Sequence, residues 1–264
     1  MTESRPSDLA RQIAVLLMAI AQIAASYSIG REVGGVAQEY RTFVFPTTWA
    51  FSIWGIIFLL CLIYGIYQAL PAQRESPIFR AVGWWSAAAF LCNSLWNQVF
   101  ISRQFALAQI VIFAGFVCAG MAYWRFVQTA GGRRLPQVMH WVVGPVFGLL
   151  FGWITAANVV GLASTLVANG VSATGEGAEP GAAALLIFGS AIAFFVIVLS
   201  RSGPASAWIA YAAAVIWALV AVFIEQQAAS PLASGAAVAG ILLILLALIG
   251  PWNRRGAPAL PASA

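Results

Sequence analysis

Long apolar runs fill most of this 264-residue chain, and the charged residues fall between them. Eight charge-free runs stand out, at residues 13–30, 42–73, 81–102, 104–124, 135–168, 181–200, 202–224 and 226–253. A transmembrane helix needs about 20 apolar residues, because it rises about 1.5 Å per residue across a hydrocarbon core of about 30 Å. Helices satisfy their own backbone hydrogen bonds in lipid, whereas open sheets do not. The pattern predicts an all-α polytopic membrane protein with eight transmembrane helices.

The predicted helices fall into two groups on either side of a polar stretch. Residues 169–180 (NGVSATGEGAEP) are rich in small and polar side chains, which predicts a flexible external loop. Five helices precede this loop, in a predicted bundle of residues 1–168. Three follow it, in a predicted extension of residues 181–264. Eight of the eleven tryptophans precede the loop, so the two groups differ in kind as well as in position.

The positive charges indicate which way the chain crosses the membrane. The chain has thirteen arginines and no lysine. If the N-terminus is cytoplasmic, ten arginines lie on the cytoplasmic side and only Arg31, Arg41 and Arg103 lie outside. Because positive residues concentrate in cytoplasmic segments, we predict a multi-pass protein of the cell's inner membrane with both termini cytoplasmic. The net charge of +5 then reflects topology and does not indicate a nucleic-acid partner.

Several kinds of membrane chemistry lack their residues in this sequence. A retinal protein needs a lysine for its Schiff base, and a bis-histidine haem protein needs two histidines, whereas this chain has only His140. The three cysteines, Cys61, Cys92 and Cys118, lie in apolar runs without metal-ligand spacing. The only aspartate is Asp8, so aspartate-rich prenyl-transfer motifs are absent. We therefore expect no catalytic residues, no metal site and no required cofactor.

Two asparagines in the third predicted helix are the most informative polar residues within an apolar run. Asn93 and Asn97 are spaced i, i+4, so they share one face of a helix, and Trp96 lies between them. Amides inside a membrane usually face the interior of a bundle and bond to neighbouring helices. The pair therefore either joins two helices or forms part of a pocket wall, and the residues alone leave both interpretations open.

Three segments carry a resemblance to a known family. They are FVFPTTWAFSIWGIIFLLCLIYG (Phe43–Gly65), CNSLWNQVF (Cys92–Phe100) and GPVFGLLFGWITAANVVG (Gly144–Gly161). Together they resemble the tryptophan-rich sensory proteins (TspO/MBR, relatives of the mitochondrial translocator protein), in particular the longer members. The resemblance covers about residues 9–168. One departure is that residues 46–49 read Pro-Thr-Thr-Trp where the family usually has Pro-Pro-Gly-Trp.

The resemblance implies a five-helix bundle that binds planar, largely apolar ligands such as porphyrins or haem, under the loop that joins its first two helices. Such a ligand needs aromatic faces for stacking and cations for its propionates. The candidate ligand-binding residues are Trp49, Phe51, Trp54, Asn93, Trp96, Asn97, Phe100, Trp153 and Asn158. Arg31 and Arg41, in the predicted loop Gly30–Pro46, are the candidate propionate contacts. The function this implies is a ligand-binding sensor or receptor.

Other functions stay open at this point. A small-molecule transporter could use the polar residues of eight helices, among them Glu225 near the end of the seventh. An accessory subunit of a larger membrane complex could pack through Gly- and Ala-rich runs such as Ala233–Gly240. The family resemblance also implies light-dependent porphyrin breakdown as an alternative activity. The expected partners are the lipid bilayer and a hydrophobic small molecule. The chain could also pair with a second copy of itself as a homodimer.

Overall fold

The computed structural model describes residues 6–251, and these form eight long helices. The helices are α1 (Pro6–Glu39), α2 (Ile53–Ala69), α3 (Pro77–Ile101), α4 (Phe105–Ala130), α5 (Gly144–Ala168), α6 (Ala178–Ser200), α7 (Ala205–Gln226) and α8 (Pro231–Ile249). The described residues contain no strand, so the prediction of an all-α protein with eight helices is confirmed. The predicted cytoplasmic positions of Arg5, Arg254 and Arg255 lie outside the described residues.

Short irregular turns precede two of the helices. A 3₁₀ turn at Thr48–Ser52 leads into α2, and a π-helical turn at Met139–Val143 leads into α5. The π-helical turn ends just before Pro145, which has no N–H to donate to the preceding turn. With these turns included, seven helices are long and apolar enough to cross a membrane. The exception is α3, which carries Arg80 and the amides of Asn93, Asn97 and Gln98.

Helix α1 is longer than its hydrophobic run predicted. It continues from Arg31 to Glu39, so the connection to the 3₁₀ turn is only Tyr40–Thr47. The predicted loop Gly30–Pro46 is therefore wrong over its first ten residues. Arg31 and Glu32 mark the end of the apolar run. The helix continues past them, because its backbone hydrogen bonds can form outside an apolar environment. The last turns of α1 continue past the hydrophobic run, and one face of them packs on other helices, with Val36 buried against Phe100 and Phe105.

The helices pack in an order that differs from their order in the chain. Helix α3 lies between α1 and α4, α5 lies between α4 and α7, and α8 packs on α6 and α7. One hydrophobic core contains residues of every helix, from Val15 in α1 to Ala247 in α8. The predicted bundle of residues 1–168 and the extension of residues 181–264 thus share a core.

A glycine seam brings α5 close to α7. A methyl group added at Gly148 would collide with the carbonyl oxygen of Ala207, and one added at Gly152 would lie 2.5 Å from the carbonyl oxygen of Tyr211. Small residues four positions apart let two helix backbones approach in this way, and close approach strengthens packing in lipid. The seam fixes the first helix group against the second.

The end of the bundle at which α1 begins, here called the N-terminal end, is filled by a polar network. Arg11 is 1% exposed and donates to Gln68 Oε1 (3.1 Å) and to the Arg74 carbonyl (2.8 Å). Gln12 Nε2 donates to the Gln68 carbonyl (2.7 Å), and Gln68 Nε2 donates to the Gln12 carbonyl (2.9 Å). The stem of Arg11 lies against Gly83, where an added methyl group would be 2.6 Å from Arg11 Cδ. The network joins α1, α2 and α3.

Two further arginines hold helix ends at the N-terminal end. Arg80 pairs with the largely buried carboxylate of Asp8 through two hydrogen bonds of 2.9 and 2.6 Å. Arg201 donates to the carbonyl oxygens of Ala247 (2.9 Å) and Gly250 (3.0 Å) at the end of α8. A cation is favourable there, because the last carbonyls of a helix have no partner within it.

Candidate functional site

A cavity of about 520 Å³ lies at the opposite end of the bundle, here called the cavity end. Its walls come from the first seven helices, the 3₁₀ turn and the segment before that turn. Small-molecule sites are typically apolar cavities of about 300–1,000 Å³ with a few polar groups, and this cavity matches that description. Most of the predicted site residues line it, namely Phe51, Trp54, Asn93, Trp96, Asn97, Phe100 and Trp153.

Trp153 is the centre of one aromatic wall. It is 3% exposed, and its ring meets those of Phe51 and Trp54 edge to face, with centroid distances of 5.9 and 6.2 Å. Trp54 in turn stacks on Phe58 at 4.9 Å. Edge-to-face and stacked pairs of this kind are favoured by the charge distribution of aromatic rings. The contacts hold these rings in fixed orientations beside the cavity.

A second aromatic wall comes from α3. Trp96 stacks on Phe100, with centroids 4.8 Å apart and planes 23° apart. Phe100 also meets Phe105 edge to face at 5.5 Å, in a small core separate from the main one. The i, i+4 spacing places Trp96 and Phe100 on the same face of α3. The cavity thus has aromatic rings on α3 as well as on α2 and α5.

The two asparagines of α3 both line the cavity and join helices. Asn93 Nδ2 donates to Gln22 Oε1 (3.3 Å), and Asn97 Nδ2 donates to Ser26 Oγ (3.1 Å), which links α3 to α1. Asn97 Nδ2 also donates to the carbonyl oxygen of Asn93 (3.1 Å). Both residues lie on the cavity wall. The two interpretations left open by the sequence therefore describe the same side chains.

Helices α6 and α7 supply a wall that the sequence did not predict. Leu186 and Ser190 of α6 line the cavity, and so do Ala218, Leu219 and Val222 of α7. The candidate residues named from the sequence all precede residue 168, so they leave out this part of the cavity wall. Ala218 and Val222 are four residues apart on α7, so the sequence could have predicted that they share one face of the helix. It did not indicate that this face lines a cavity.

Helix α7 also holds the segment Tyr40–Thr47 in place over the cavity. Thr47 N donates to the Ala221 carbonyl (3.2 Å), and Gln226 Nε2 donates to the Phe45 carbonyl (2.9 Å). Phe45 is 2% exposed and its ring lines the cavity. A residue of the seventh helix therefore fixes the backbone of a residue that faces the cavity.

Two more residues of α7, Trp217 and Glu225, contact the region around this segment. Trp217 Nε1 donates to the Ala50 carbonyl (2.8 Å), and its ring meets Trp49 edge to face at 4.7 Å. Arg41 forms an ion pair with Glu225. The sequence singled out Glu225 as an acid near an apolar helix end, and the structure gives it this partner.

Two predicted site residues lie outside the cavity lining. Trp49 is 41% exposed and faces Trp217. Asn158 bonds within and between helices: its Oδ1 accepts from Gln109 Nε2 (3.3 Å), and its Nδ2 donates to the Ile154 carbonyl (2.9 Å). Asn158 therefore joins α5 to α4 and is not among the residues that line the cavity.

The two predicted propionate contacts also lie outside the lining. Arg31 is an exposed residue of α1, since the helix continues through the predicted loop. Arg41 lies in the short connection, where its guanidinium is 5.2 Å from the centre of the Phe45 ring and pairs with Glu225. Neither arginine is among the residues that line the cavity, although Arg41 lies against the lining residue Phe45.

The described residues contain no group of three or more His, Cys, Asp and Glu side chains that could hold a metal ion. Cys92 lines the cavity, while Cys61 is buried in the core. The cavity offers aromatic faces, amides and hydroxyls. This set can hold a ligand by burial, stacking and hydrogen bonding.

A family model described as "TSPO-like protein" matches residues 9–250. The match covers all eight helices, so it extends beyond residue 168, where the resemblance read from the three motifs ended. Comparisons with curated proteins and with solved structures give no match.

Proposed function

This chain belongs to the TSPO-like protein family, and from that premise we propose that its cavity captures a planar hydrophobic ligand. Tetrapyrroles such as porphyrins are the class to test first. The protein is a multi-pass membrane protein, and its proposed role is that of a membrane receptor or sensor. The proposal assigns binding to the cavity and no catalytic step.

The observation that carries the proposal is the arrangement of aromatic rings on separate walls of one cavity. Trp54 and Trp153 lie on one side, and the stacked pair Trp96 and Phe100 lies on α3. A planar ligand between such walls gains burial of its two faces and about 0.5–1.5 kcal/mol for each aromatic pair. The rings contact one another, so they are ordered before a ligand arrives, which reduces the entropy lost on binding.

A sensor also needs an element whose conformation depends on the ligand, and the Tyr40–Thr47 segment supports this role. Phe45 lines the cavity while its carbonyl is bonded to Gln226 of α7. A ligand that contacts Phe45 would stabilise the closed position of the segment over any open one. We propose that this difference is the signal, and that the segment faces the outside of the cell's inner membrane, with both termini cytoplasmic.

The experiment is a titration of the purified full-length protein with protoporphyrin IX, its neutral dimethyl ester and haemin, followed by tryptophan quenching and ligand absorbance. Trp96→Ala should weaken binding at least tenfold, because it removes a cavity wall, while the thermal unfolding temperature changes little. The matched control is Trp141→Ala, since Trp141 is 75% exposed and lies at the N-terminal end.

Titrations against protein-free micelles correct for partition of the ligands into detergent. Saturable binding that Trp96→Ala weakens and Trp141→Ala leaves unchanged would support the proposed site. Absence of saturable binding for all three ligands would refute the proposed function.

A further inference from the structure

Helices α1 and α2 are in close contact toward the N-terminal end and separate toward the cavity end. A methyl group added at Gly65 of α2 would lie 3.3 Å from Ala19 Cβ and 3.6 Å from Leu16 Cα of α1. A methyl group added at Gly55, nearer the cavity end of α2, would meet no atom within 4 Å, and the same holds at Gly30 of α1. The two helices therefore leave a gap beside the cavity.

The cavity reaches the protein surface at this gap. Among the described residues that line the cavity, every exposed one belongs either to α1 or to the stretch Thr48–Gly55. These residues are Tyr27, Gly30, Gly34 and Gln38 on α1, and Thr48, Phe51 and Gly55 on the second chain segment. Because a residue that lines a cavity and is also exposed marks its opening, the cavity opens between α1 and α2.

The two edges of the opening lie at the same height in the bundle. Gly55 is about 15 Å from Gly65 along α2, at about 1.5 Å per residue. The same rise along α1, counted from Ala19, leads to the turn that holds Tyr27 and Gly30. The exposed lining residues of α1 thus lie opposite those of α2.

The opening faces the lipid bilayer. Tyr27 lies within the apolar run of α1, and Gly55 lies within the apolar span Thr48–Ala69. Exposed surface at these positions is in contact with lipid. Toward water, the Tyr40–Thr47 segment covers the cavity with buried lining residues such as Phe45. The cavity is therefore covered on its water side and open on its lipid side.

We propose that this opening is the entrance of the binding site, and that a hydrophobic ligand enters directly from the lipid bilayer. The inference rests on the proposed function for the identity of the ligand, but the route can be tested without that ligand. An apolar ring compound partitions into the bilayer, so its concentration beside the opening exceeds its concentration in water. Gly30 and Gly55 have no side chains that would narrow the path of a flat ring.

Cys92 is a natural probe of the route, because it lines the cavity while Cys61 is buried in the core. Wild-type proteoliposomes are treated with N-phenylmaleimide, which dissolves in lipid, or with a maleimide that carries a quaternary ammonium group, which does not. Mass spectrometry of the Cys92 peptide measures the labelled fraction over time. Each rate is divided by the rate for the same reagent with the unfolded protein. We expect the lipid-soluble reagent to be at least tenfold faster at Cys92, and Cys61 to stay unlabelled.

A pair of variants locates the entrance. Gly55→Trp should slow labelling of Cys92 by the lipid-soluble reagent at least fivefold, because the indole would stand in the opening. The open space around Gly55 leaves room for the new side chain, and an unchanged unfolding temperature checks that the fold is kept. Ile56→Trp is the matched control, since Ile56 is 58% exposed and is not among the lining residues. It should leave the rate within twofold.

The labelling also tests the competing route from water, which would begin at Gly34 and Gln38, beyond Arg31 on α1. A charged reagent that labels Cys92 as fast as the lipid-soluble one overturns entry from lipid. An unchanged rate in Gly55→Trp, equal slowing by Ile56→Trp, or a cavity thiol that neither reagent reaches overturns the entrance itself. The expected labelling together with a failure to bind any porphyrin would leave the entrance in place and refute only the proposed function.

Discussion

The two ends of this bundle treat buried polar groups differently. At the N-terminal end, Arg11, Gln12 and Gln68 donate to one another and to backbone carbonyls, and the stem of Arg11 fills the space above Gly83. At the cavity end, Asn97 lines the cavity and donates to Ser26 of α1 and to the Asn93 carbonyl of its own helix. One end is closed by its own side chains, and the other keeps room for a ligand.

This difference indicates which end of the bundle contributes mainly to stability and which contributes mainly to ligand binding. Helices in lipid gain little from hydrophobic association, so packing and interhelical hydrogen bonds must hold them together. Both ends have such bonds, but the N-terminal end also fills its space with the Arg11 stem, whereas the cavity end keeps an open volume of about 520 Å³. Substitutions at the first end should therefore change the free energy of unfolding, and substitutions at the second should mainly change ligand affinity.

The largest expected effect is at the closed end. Arg11→Met keeps the length of the stem but leaves Gln68 Oε1 and the Arg74 carbonyl without their donor. Each unsatisfied buried acceptor costs about 1–3 kcal/mol, so we expect the two together to lower the free energy of unfolding by about 2–6 kcal/mol. Thermal unfolding in detergent measures the loss, and ligand affinity at the other end should stay within about twofold, a change of about 0.4 kcal/mol.

The matched control is Arg31→Met, because Arg31 is an exposed arginine on the same helix. It should leave the unfolding temperature nearly unchanged. Equal destabilisation by the two substitutions would show that loss of an arginine, not loss of the network, causes the effect.

A cavity-filling substitution should have an intermediate effect and a different sign for stability. Ala218 of α7 is 6% exposed and lines the cavity. Ala218→Leu should lower ligand affinity at least tenfold, about 1.4 kcal/mol, while raising the free energy of unfolding by about 0.5–2 kcal/mol. Titration and thermal unfolding of the same preparation measure both quantities.

The control for this substitution is Ala213→Leu, on the exposed side of the same helix. It should leave affinity unchanged. If Ala218→Leu also leaves affinity unchanged, α7 does not form part of the binding site, and the contrast between the two ends reduces to a contrast within the first five helices.

The smallest expected effect concerns the ion pair between Arg41 and Glu225. The two side chains are 43% and 27% exposed, and exposed ion pairs are worth about 0–1 kcal/mol. Glu225→Gln should therefore change global stability by less than about 1 kcal/mol. Hydrogen exchange should nevertheless become faster at the amide of Thr47, which donates to Ala221 one turn away on α7.

Glu39→Gln is the comparison, since Glu39 pairs with Arg103 outside the Tyr40–Thr47 segment. Faster exchange at Thr47 in both variants would mean that the effect comes from the change in surface charge. An effect confined to Glu225→Gln would identify the pair with α7 as the contact that restrains the segment.

The local part of this structure could be predicted from the sequence, and the part that depends on distant contacts could not. The apolar runs predicted eight helices, because the length of a membrane-spanning helix is set by the thickness of the bilayer. They misplaced the end of α1, because hydropathy marks the edge of the apolar layer and not the last hydrogen-bonded turn. The family motifs predicted Trp54, Trp96 and Trp153 as wall residues, and these line the cavity.

The contribution of α7 is the clearest example of what sequence reasoning missed. Gln226 bonds to Phe45 across 181 positions, and no periodicity within one helix contains that information. The sequence could have predicted that α5 packs closely on another helix. Gly144, Gly148 and Gly152 recur every four residues, and such spacing is typical of tightly packed membrane helices. Their partner helix, however, was not identifiable from the spacing.

Because α7 forms part of the cavity wall, the binding site is incomplete until α7 has been synthesised. A ribosome makes the chain from its N-terminus, so five helices and most tryptophans are complete when residue 168 has been added. At that moment Ala218 and Val222 have not been made, and the glycine face of α5 is open to lipid tails. Any ligand present in the membrane meets a finished site only after the seventh helix has been inserted.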